Sequence, residues 1–208
     1  MSSSSNDIRQ QLRREMRRRR RALSPAQQRH AAQALVRHFS QHPWFKRSRH
    51  LALYLSNDGE IDTRPLIELA WQQGKQVYLP VLHPLSHNRL WFLPYQQDTR
   101  LRLNQYRIPE PPLQPHRRRL PWTLDLVCMP LVAFDPQGGR LGMGGGYYDR
   151  TFAFLNRQPN WGKPRLLGLA HECQKVEHLP LASWDIPLSA ILTDSRLYQA
   201  MSTDGSKG

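Results

Sequence analysis

The sequence is poor in cysteine and in long apolar runs. Its two cysteines, Cys128 and Cys173, are too few for a disulfide framework, and neither has a second cysteine or a histidine at metal-ligand spacing. Cys128 lies in the apolar run LDLVCMP, which favours a buried, reduced thiol. No run of about 18 apolar residues is present, so the sequence predicts no membrane-spanning helix and no membrane partner.

The first residues, MSSSSNDIRQ, lack the apolar core of a signal peptide. A cytoplasmic protein is therefore expected. The serine and arginine content of this end leaves an organelle transit peptide as the lesser alternative.

Acidic residues are also scarce, with 16 Asp and Glu against 30 Lys and Arg. The imbalance is concentrated at the N-terminus, where residues 1–50 hold thirteen basic side chains and only two acidic ones, Asp7 and Glu15. Such a segment can attract a polyanion: nucleic acid, an anionic lipid surface or a nucleoside triphosphate. It is equally typical of a solvated helix, so charge alone assigns no function.

A chain of 208 residues is long enough for one α/β domain with a sizeable core. Residues 1–6 are expected to form a disordered tip. From Asp7 onward, Ile8, Leu12 and Met16 recur every four residues and predict an arginine-coated helix with a narrow apolar stripe. The sequence SPAQ at residues 24–27 then predicts a helix N-terminus, with a capping serine, a proline at the first helical position and a glutamine three residues after the cap.

Residues 50–82 predict a strand, a helix and a second strand. HLALYLS and QVYLPVL are short apolar runs, and between them an amphipathic helix begins at Asp62 or Thr63 and ends at Gly74. This succession is a βαβ unit, which implies a parallel sheet with a right-handed crossover.

Further strands are predicted downstream. RLWFLPY and TRLRLN are expected in a hairpin or at a sheet edge. LDLVCMPLVAF is expected to be a buried strand, and PRLLGLA and SAILTD are expected to be two late strands. The proline-rich residues 109–121 are predicted to be a loop or a lid. A helix is predicted over residues 147–156.

A glycine-rich stretch, DPQGGRLGMGGGYYDR, follows the buried strand at residues 135–150. Six of the chain's twelve glycines lie between Gly138 and Gly146, and ordering them costs backbone entropy that a ligand can offset. A strand, a glycine loop and a helix N-terminus together present free N–H groups to an anion. The stretch lacks the Gly-Lys-Ser/Thr ending of a Walker loop and the later acid of the dinucleotide fingerprint.

Two charged residues frame this loop. Arg140 can pair with phosphate oxygens, and Asp149 can hold a magnesium ion that bridges them. An ion pair that merely closes the loop is the alternative for both residues. Tyr147 and Tyr148 are also open to two interpretations. They could contact a ligand held by the loop, or they could anchor the helix that they begin to the core.

The run FDPQGGRLGMGGGYYDR, with the strand LDLVCMPLVA before it, resembles the signature of the 5-formyltetrahydrofolate cyclo-ligase family. Four further blocks resemble the family in the same order: IRQQLRREMRRRRRALSP, LYLSNDGEIDTRPLIELAWQQGKQVYLPVL, YRIPEP and WDIPLSAILTD. The resemblance therefore extends from about residue 7 to residue 194.

This resemblance implies a single three-layer α/β domain over residues 7–198, with a mainly parallel central sheet flanked by helices, Rossmann-like, and a basic N-terminal helix. Residues 199–208 are expected to be a flexible tail. The implied activity is an ATP- and Mg2+-dependent closure of 5-formyltetrahydrofolate to 5,10-methenyltetrahydrofolate, with release of ADP and phosphate. A monomer that takes a small-molecule folate and binds no nucleic acid is expected.

Matched position by position, the resemblance implies these site residues. ATP binding is implied for Arg9, Arg13, Arg140, Leu141, Gly142, Met143, Gly144, Gly145, Gly146, Tyr147 and Tyr148, with Arg140, Tyr147 and Tyr148 also catalytic. Folate binding is implied for Leu55, Glu60 and Tyr106, and magnesium binding for Asp149. Arg9 and Arg13 are four residues apart, so they project from one side of the helix.

The sequence departs from the family pattern at three positions. Met143 stands where many members have a basic residue, and Leu131 where glycine is usual. Ser189 stands where a second magnesium-binding acid is expected, and neither Asp185 nor Asp194 nearby matches that position.

Two other functions remain open from the residues alone. An RNA-binding protein could use the seven arginines between Arg13 and Arg21, although the glycine loop would then have no role. A sugar-phosphate enzyme could use the loop for a monophosphate.

Overall fold

The computed structural model describes residues 2–157, 162 and 164–199. Three helices begin the fold: α1 (Ser2–Arg21), α2 (Pro25–Ser40) and the short α3 (Pro43–Arg47). α2 begins as predicted, since Ser24 Oγ accepts a hydrogen bond from the Gln27 N–H and Gln27 Oε1 accepts one from the Ser24 N–H. α1 already includes residues 2–6, which the sequence predicted as a disordered tip, because a formed helix gains a hydrogen bond for each added residue.

Seven strands form one central sheet. In chain order the strands of the fold are β1 (His50–Ala52), β2 (Gln76–Leu82), β3 (Leu90–Pro94), β4 (Arg102–Leu103), β5 (Pro109–Glu110), β6 (Leu126–Pro130), β7 (Ala133–Phe134), β8 (Arg140–Leu141), β9 (Arg165–Ala170), β10 (Ala190–Thr193) and β11 (Leu197–Gln199). The sheet order is β11-β10-β9-β6-β1-β2-β3. Its five inner strands are parallel and only the two edge strands are antiparallel, which confirms the mainly parallel sheet.

Helices cover both faces of this sheet. Along β6, Leu126 and Cys128 point into a core cluster shared with α2, α3 and α4 (Arg64–Gln72), while Val127 and Met129 point into a second cluster on the other side. The second cluster includes Phe152 of α5 (Tyr147–Phe152), which α6 (Phe154–Arg157) follows. Cys128 is a buried free thiol, as predicted, and burial raises its pKa.

The βαβ prediction is confirmed. β1 and β2 are parallel, with Leu51 opposite Val77, and α4 connects them. Gly74 follows α4 at a φ of 68°, a left-handed conformation that glycine adopts without steric cost.

Two segments are more ordered than the sequence predicted. The proline-rich stretch contributes β5, which pairs with β4, and two 310 turns at Pro115–Arg117 and Pro121–Thr123. The glycine-rich stretch contains the β7–β8 hairpin. The single helix predicted for residues 147–156 is instead divided at Ala153 into α5 and α6.

The carboxyl ends of the parallel strands meet at one edge, and α1 lies along it. α1 contacts β7, which follows β6, and the 310 turn Glu172–Gln174, which follows β9. Ligands in open α/β sheets bind at this kind of edge. Within the described ranges, no helix is both long and apolar enough to cross a membrane. Of the predicted tail, Gln199 ends β11 and residues 200–208 lie outside the description.

Candidate active site

The six glycines of the stretch fall into two groups with different roles. Gly138 and Gly139 form the turn of the β7–β8 hairpin around the buried side chain of Asp135. Asp135 Oδ1 accepts hydrogen bonds from the Gly139 N–H (2.8 Å) and the Gln137 N–H (3.1 Å), and its Oδ2 accepts one from Leu179 (3.1 Å). A Cβ atom at Gly139 would lie 2.6 Å from Oδ2, so this glycine is needed for packing.

The second group, in residues 142–146, forms the loop that leads into α5. Gly144 and Gly146 have φ values of 102° and 64°, which favour glycine. Met143 is exposed at the surface of this loop. The Leu141 side chain, in contrast, is buried in a cluster with Met16 and Leu179, so only its backbone is available to a nucleotide.

Arg140 and Asp149 form an ion pair beside this loop. Arg140 is only 6% exposed, and the Ile186 N–H also donates to Asp149 Oδ1, at 3.1 Å. The loop-closing ion pair considered from the sequence is therefore present, but it does not use every polar atom. Among the described residues, buried Arg140 Nε has no hydrogen-bond partner, and no hydrogen bond is made by Asp149 Oδ2.

Both N-terminal arginines lie on one side of α1, as their spacing predicted, and both make contacts at this edge. Arg13 Nε donates to the Gly142 carbonyl oxygen at 2.9 Å, and its guanidinium lies against Gly144. Burial and the neighbouring charge of Arg9 lower the pKa of Arg13. Arg9 itself forms two hydrogen bonds with Asp185, of 2.8 and 3.2 Å.

The twin tyrosines point in different directions. The Tyr147 hydroxyl is 2.8 Å from that of Tyr106, so the structure brings the predicted folate-stacking ring to the loop. Burial and this hydrogen bond raise the pKa of Tyr147 to about 12. The ring of Tyr148 stacks on Phe152 in the core, which supports an anchoring role. Burial raises the pKa of Tyr148, and the charge of nearby Glu60 adds to the increase.

Glu60 follows β1 at the same edge. Its side chain is 12% exposed, its Oε2 accepts a hydrogen bond from the Asn57 N–H (3.1 Å), and its Oε1 lies 3.7 Å from Arg20 Nη2. Burial raises the pKa of Glu60 to about 7. The other predicted folate residue after β1, Leu55, is partly buried against the core.

Arg20 and Asp135 are two important residues of this edge that the sequence reasoning missed. Arg20 is fully buried, although it belongs to an unbroken run of arginines. The signal for Arg20 was the apolar stripe itself, because Arg20 is four residues after the buried Met16. Asp135 gave no comparable signal, since its partner Leu179 is distant in sequence.

Ser189, which stands where the resemblance implies a second magnesium-binding acid, lies away from the glycine loop. Ser189 lies just before β10, and its Oγ accepts a hydrogen bond from the N–H of Leu166 at the start of β9, which is the opposite edge of the sheet from the glycine loop. Asp185 adjoins Ile186, whose N–H donates to Asp149. Burial raises the pKa of Asp185, but its hydrogen bond with Arg9 and weaker effects, including the charge of Arg140, lower it overall. In the described part of the chain, no group of three or more His, Cys, Asp and Glu is arranged to hold a metal.

Comparison with known proteins shows the family of the chain. Residues 5–194 match the 5-formyltetrahydrofolate cyclo-ligase family. The 5-formyltetrahydrofolate cyclo-ligase of Escherichia coli K12 is 47% identical over 187 residues, which cover 88% of this chain and 99% of that protein. The enzyme of the same name from Haemophilus influenzae is 45% identical and covers 88% of this chain and 96% of its own length.

Solved structures show the same fold. The structure of Aquifex aeolicus 5,10-methenyltetrahydrofolate synthetase superposes with a TM-score of 0.80 at 28% identity, and the match covers 97% of both chains. The Mycoplasma pneumoniae 5,10-methenyltetrahydrofolate synthetase gives a TM-score of 0.67 at 24% identity over 89% of this chain and 98% of its own, a likeness of fold.

Proposed function

The chain belongs to the 5-formyltetrahydrofolate cyclo-ligase family and is therefore a ligase, and we propose that it converts 5-formyltetrahydrofolate to 5,10-methenyltetrahydrofolate with ATP. The observation that carries this proposal is the buried Arg140 guanidinium, whose Nε lacks a partner among the described residues beside a glycine loop at the ligand-binding edge. A buried donor left unpaired is costly, and a phosphate oxygen would satisfy it.

The chemistry explains the need for ATP. Ring closure expels the formyl oxygen, which is a poor leaving group from an amide-like carbon. Attack of that oxygen on the γ-phosphorus releases ADP and gives an imidate phosphate. N10 then attacks the formyl carbon, the carbon–oxygen bond breaks with departure of phosphate, and N10 loses its proton. Such a sequence depends mainly on alignment and on stabilisation of charge.

The proposed ATP site surrounds the loop of residues 142–146. Arg13 lies against Gly142 and Gly144, and Arg140 lies beneath the loop. The two guanidiniums would pair with phosphate oxygens and balance the charge that develops during transfer. The full proposed set is the one assigned by resemblance: Arg9, Arg13, Arg140, Leu141, Gly142, Met143, Gly144, Gly145, Gly146, Tyr147 and Tyr148, with Arg140, Tyr147 and Tyr148 catalytic.

Asp149 fits a magnesium ion. A carboxylate oxygen is a preferred ligand of this cation, and Oδ2 of Asp149 makes no hydrogen bond among the residues described. Magnesium commonly takes only one or two protein carboxylates and completes its shell with phosphate oxygens and water, so the lack of a larger acidic cluster is compatible with this assignment. When bound, the ion would neutralise charge on the triphosphate.

The folate would lie beside the nucleotide. Glu60 can accept hydrogen bonds from N–H groups of the pterin, and Tyr106 can stack on a ring at the mouth of the site. The charge of Glu60 acts on Tyr148, and Tyr106 is hydrogen-bonded to Tyr147, so both proposed folate residues adjoin the residues that follow the glycine loop. Leu55 would provide apolar contact.

Internal ion pairs make the RNA-binding alternative weaker. Arg17, Arg20 and Arg21 all pair with Asp58, and Arg18 and Arg19 pair with Glu15. Arginines that already contact acids attract nucleic acid less strongly than free ones. The proposal therefore includes no binding of nucleic acid. It keeps the other expectations from the sequence, which are a cytoplasmic monomer and a folate substrate.

The proposal is tested by ADP release from the purified protein with Mg2+ and ATP. Release should require 5-formyltetrahydrofolate, and tetrahydrofolate without the formyl group should not replace it. Binding of a phosphosugar by a protein that does not bind ATP would instead support the sugar-phosphate alternative. Absence of folate-dependent ADP release would contradict the proposed function.

A further inference from the structure

Arg20 differs from the other arginines in its run because it is completely buried. Its side chain is 0% exposed, whereas those of Arg18 and Arg21 are 77% and 54% exposed. Removing a guanidinium from water carries a large desolvation penalty that only close partners offset. The position of Arg20 is therefore explained by what it contacts.

These contacts join two strand ends at the ligand-binding edge. Arg20 Nη1 donates to the Leu131 carbonyl oxygen after β6 (3.0 Å), and Nε donates to the Asp58 carbonyl oxygen after β1 (2.8 Å). Nη2 donates to Asp58 Oδ2 (2.9 Å). Gln28 Nε2 reinforces the arrangement by donating to the carbonyl oxygens of both Arg20 and Gly59.

The turn held in this way is the one that presents Glu60. Asp58 and Gly59 have φ values of 54° and 75°, and a left-handed conformation at Asp58 is uncommon for a residue other than glycine. Arg20 Nη2 lies 3.7 Å from Glu60 Oε1, and it is the one cation within 4.0 Å of that carboxylate among the residues described. The Glu60 side chain is 12% exposed, so water screens this pair weakly.

We propose that Arg20 is a positioning residue, which fixes the turn at Asp58 and holds the Glu60 carboxylate in place for the pterin ring. The inference rests on the proposed function, because it takes Glu60 as a folate contact. In this role Arg20 acts through Asp58 and Glu60, which it contacts, and not on the substrate directly.

The charge balance at Glu60 gives this role a measurable signature. Burial raises the pKa of Glu60 to about 7, Arg20 and the hydrogen bond from Asn57 oppose the increase, and the charge of Asp58 adds to it. Tyr54 and Tyr148 also face Glu60 and are uncharged at neutral pH, because burial raises the pKa of each. Of the groups that lower the pKa of Glu60, Arg20 has the largest effect, ahead of the hydrogen bond from Asn57.

The test is the pH dependence of the KM for 5-formyltetrahydrofolate. Loss of the Glu60 charge should weaken folate binding, so this KM should rise as the pH falls through the pKa of Glu60. In Arg20→Met the increase in KM should begin at higher pH, because the pKa of Glu60 rises when Arg20 is removed. If that pKa rises by about one unit or slightly more, the folate KM at pH 7 should be about fivefold to tenfold above wild type. The KM for ATP should change by less than about twofold.

Arg21→Met is the matched control. Arg21 also pairs with Asp58, but its side chain is 54% exposed and no contact of it with Glu60 is described. Its folate KM should follow the wild-type pH profile. Equal profiles for Arg20→Met and Arg21→Met would overturn the positioning role.

Asp58→Asn provides a second test that does not depend on the folding of Arg20→Met. Asparagine tolerates the left-handed backbone, and the change removes the negative charge that raises the pKa of Glu60. The rise in folate KM should therefore move to lower pH, opposite to the shift in Arg20→Met. An unchanged profile, or a shift to higher pH, would contradict the inference.

The outcomes also separate the inference from the proposed function. An active wild-type enzyme whose variants keep the wild-type folate profile would overturn the role of Arg20 alone. A folded wild-type protein that forms no methenyl product would overturn both.

Discussion

Arg140 is the residue whose environment most clearly requires a ligand. It is nearly fully buried beside Asp149, and its Nε has no described hydrogen-bond partner. Arg140→Ala should weaken ATP binding by about 1.5–3 kcal/mol, the usual contribution of a hydrogen bond to a charged group, so the ATP dissociation constant should rise about tenfold to hundredfold. Binding calorimetry with Mg-ATP measures this change.

The control for Arg140 is Arg47→Ala, which removes a positive charge from the exposed end of α3. It should leave ATP affinity within about twofold of wild type. Melting curves of both variants show whether the Asp149 carboxylate, left without its partner, has destabilised the fold. An unchanged ATP affinity in a folded Arg140→Ala protein would contradict the role assigned to Arg140.

Glu60 is expected to reduce the stability of the folded protein at alkaline pH. Its pKa is about 7 in the folded state against an ordinary value of 4.5, so between these values the folded protein binds more protons than the unfolded chain and stability falls as the pH rises. Glu60→Gln removes this dependence. The variant should gain roughly 1–3 kcal/mol relative to wild type between pH 5 and pH 8.

Urea unfolding at both pH values measures that difference. The pH dependence of stability in Asp58→Asn can be compared with that in Glu60→Gln. Burial raises the pKa of Asp58, but hydrogen bonds from Arg17, Arg21 and Arg20 outweigh this effect and lower the pKa overall. The stability that Asp58 contributes is thus present at neutral pH and is lost only in acid. If Glu60→Gln were destabilised equally at pH 5 and pH 8, the assigned pKa of Glu60 would be wrong.

Gly139 is needed for close packing at the turn of the β7–β8 hairpin. In Gly139→Ala the new Cβ would lie 2.6 Å from the Asp135 carboxylate, which also holds the distant Leu179 N–H. The free energy of unfolding should fall by about 1–3 kcal/mol because the turn must shift. Gly142→Ala is the control, since its Cβ would meet no atom within 4 Å, and its stability in urea should stay close to wild type. Similar losses in both variants would contradict this account of the hairpin.

α1 presents two neighbouring arginines with different surroundings. Arg13 contacts the glycine loop through Gly142, whereas Arg14 is exposed. Arg13→Ala should raise the KM for ATP about tenfold, and Arg14→Ala should change it by less than about twofold. Steady-state kinetics at saturating folate measures both. Equal effects would indicate that α1 acts through its total charge, as the RNA-binding alternative requires.

The parts of the molecule that sequence alone could predict are those set by local patterns. The cap at Ser24 and Gln27 and the βαβ unit that ends its helix at Gly74 follow from short-range chemistry, and the structure confirms them. The family was predicted from the resemblance of the glycine-rich stretch and four other blocks to its members. The match of residues 5–194 to the family model confirms that prediction.

The remaining details depend on contacts between distant residues. The arginine run does not reveal the partners of buried Arg20, because Leu131 and Asp58 follow strands that are distant in sequence. Only its spacing of four residues from Met16 distinguishes Arg20 from exposed Arg21. The roles of Gly138 and Gly139 likewise depend on Asp135 and its bond to Leu179. For this reason the sequence predicts one anion-binding loop, whereas residues 135–139, with two of the six glycines, form a hairpin turn.

At the scale of the whole molecule, the central claim is that one site at the carboxyl edge of the sheet uses ATP to close the folate ring. The most direct measurement follows the absorbance of the methenyl product and the release of ADP in the same sample, with 5-formyltetrahydrofolate, ATP and Mg2+. The account predicts that both appear in a one-to-one ratio and that omitting either ATP or folate abolishes both. Methenyl product formed without ATP, or ADP released at the same rate without folate, would contradict it.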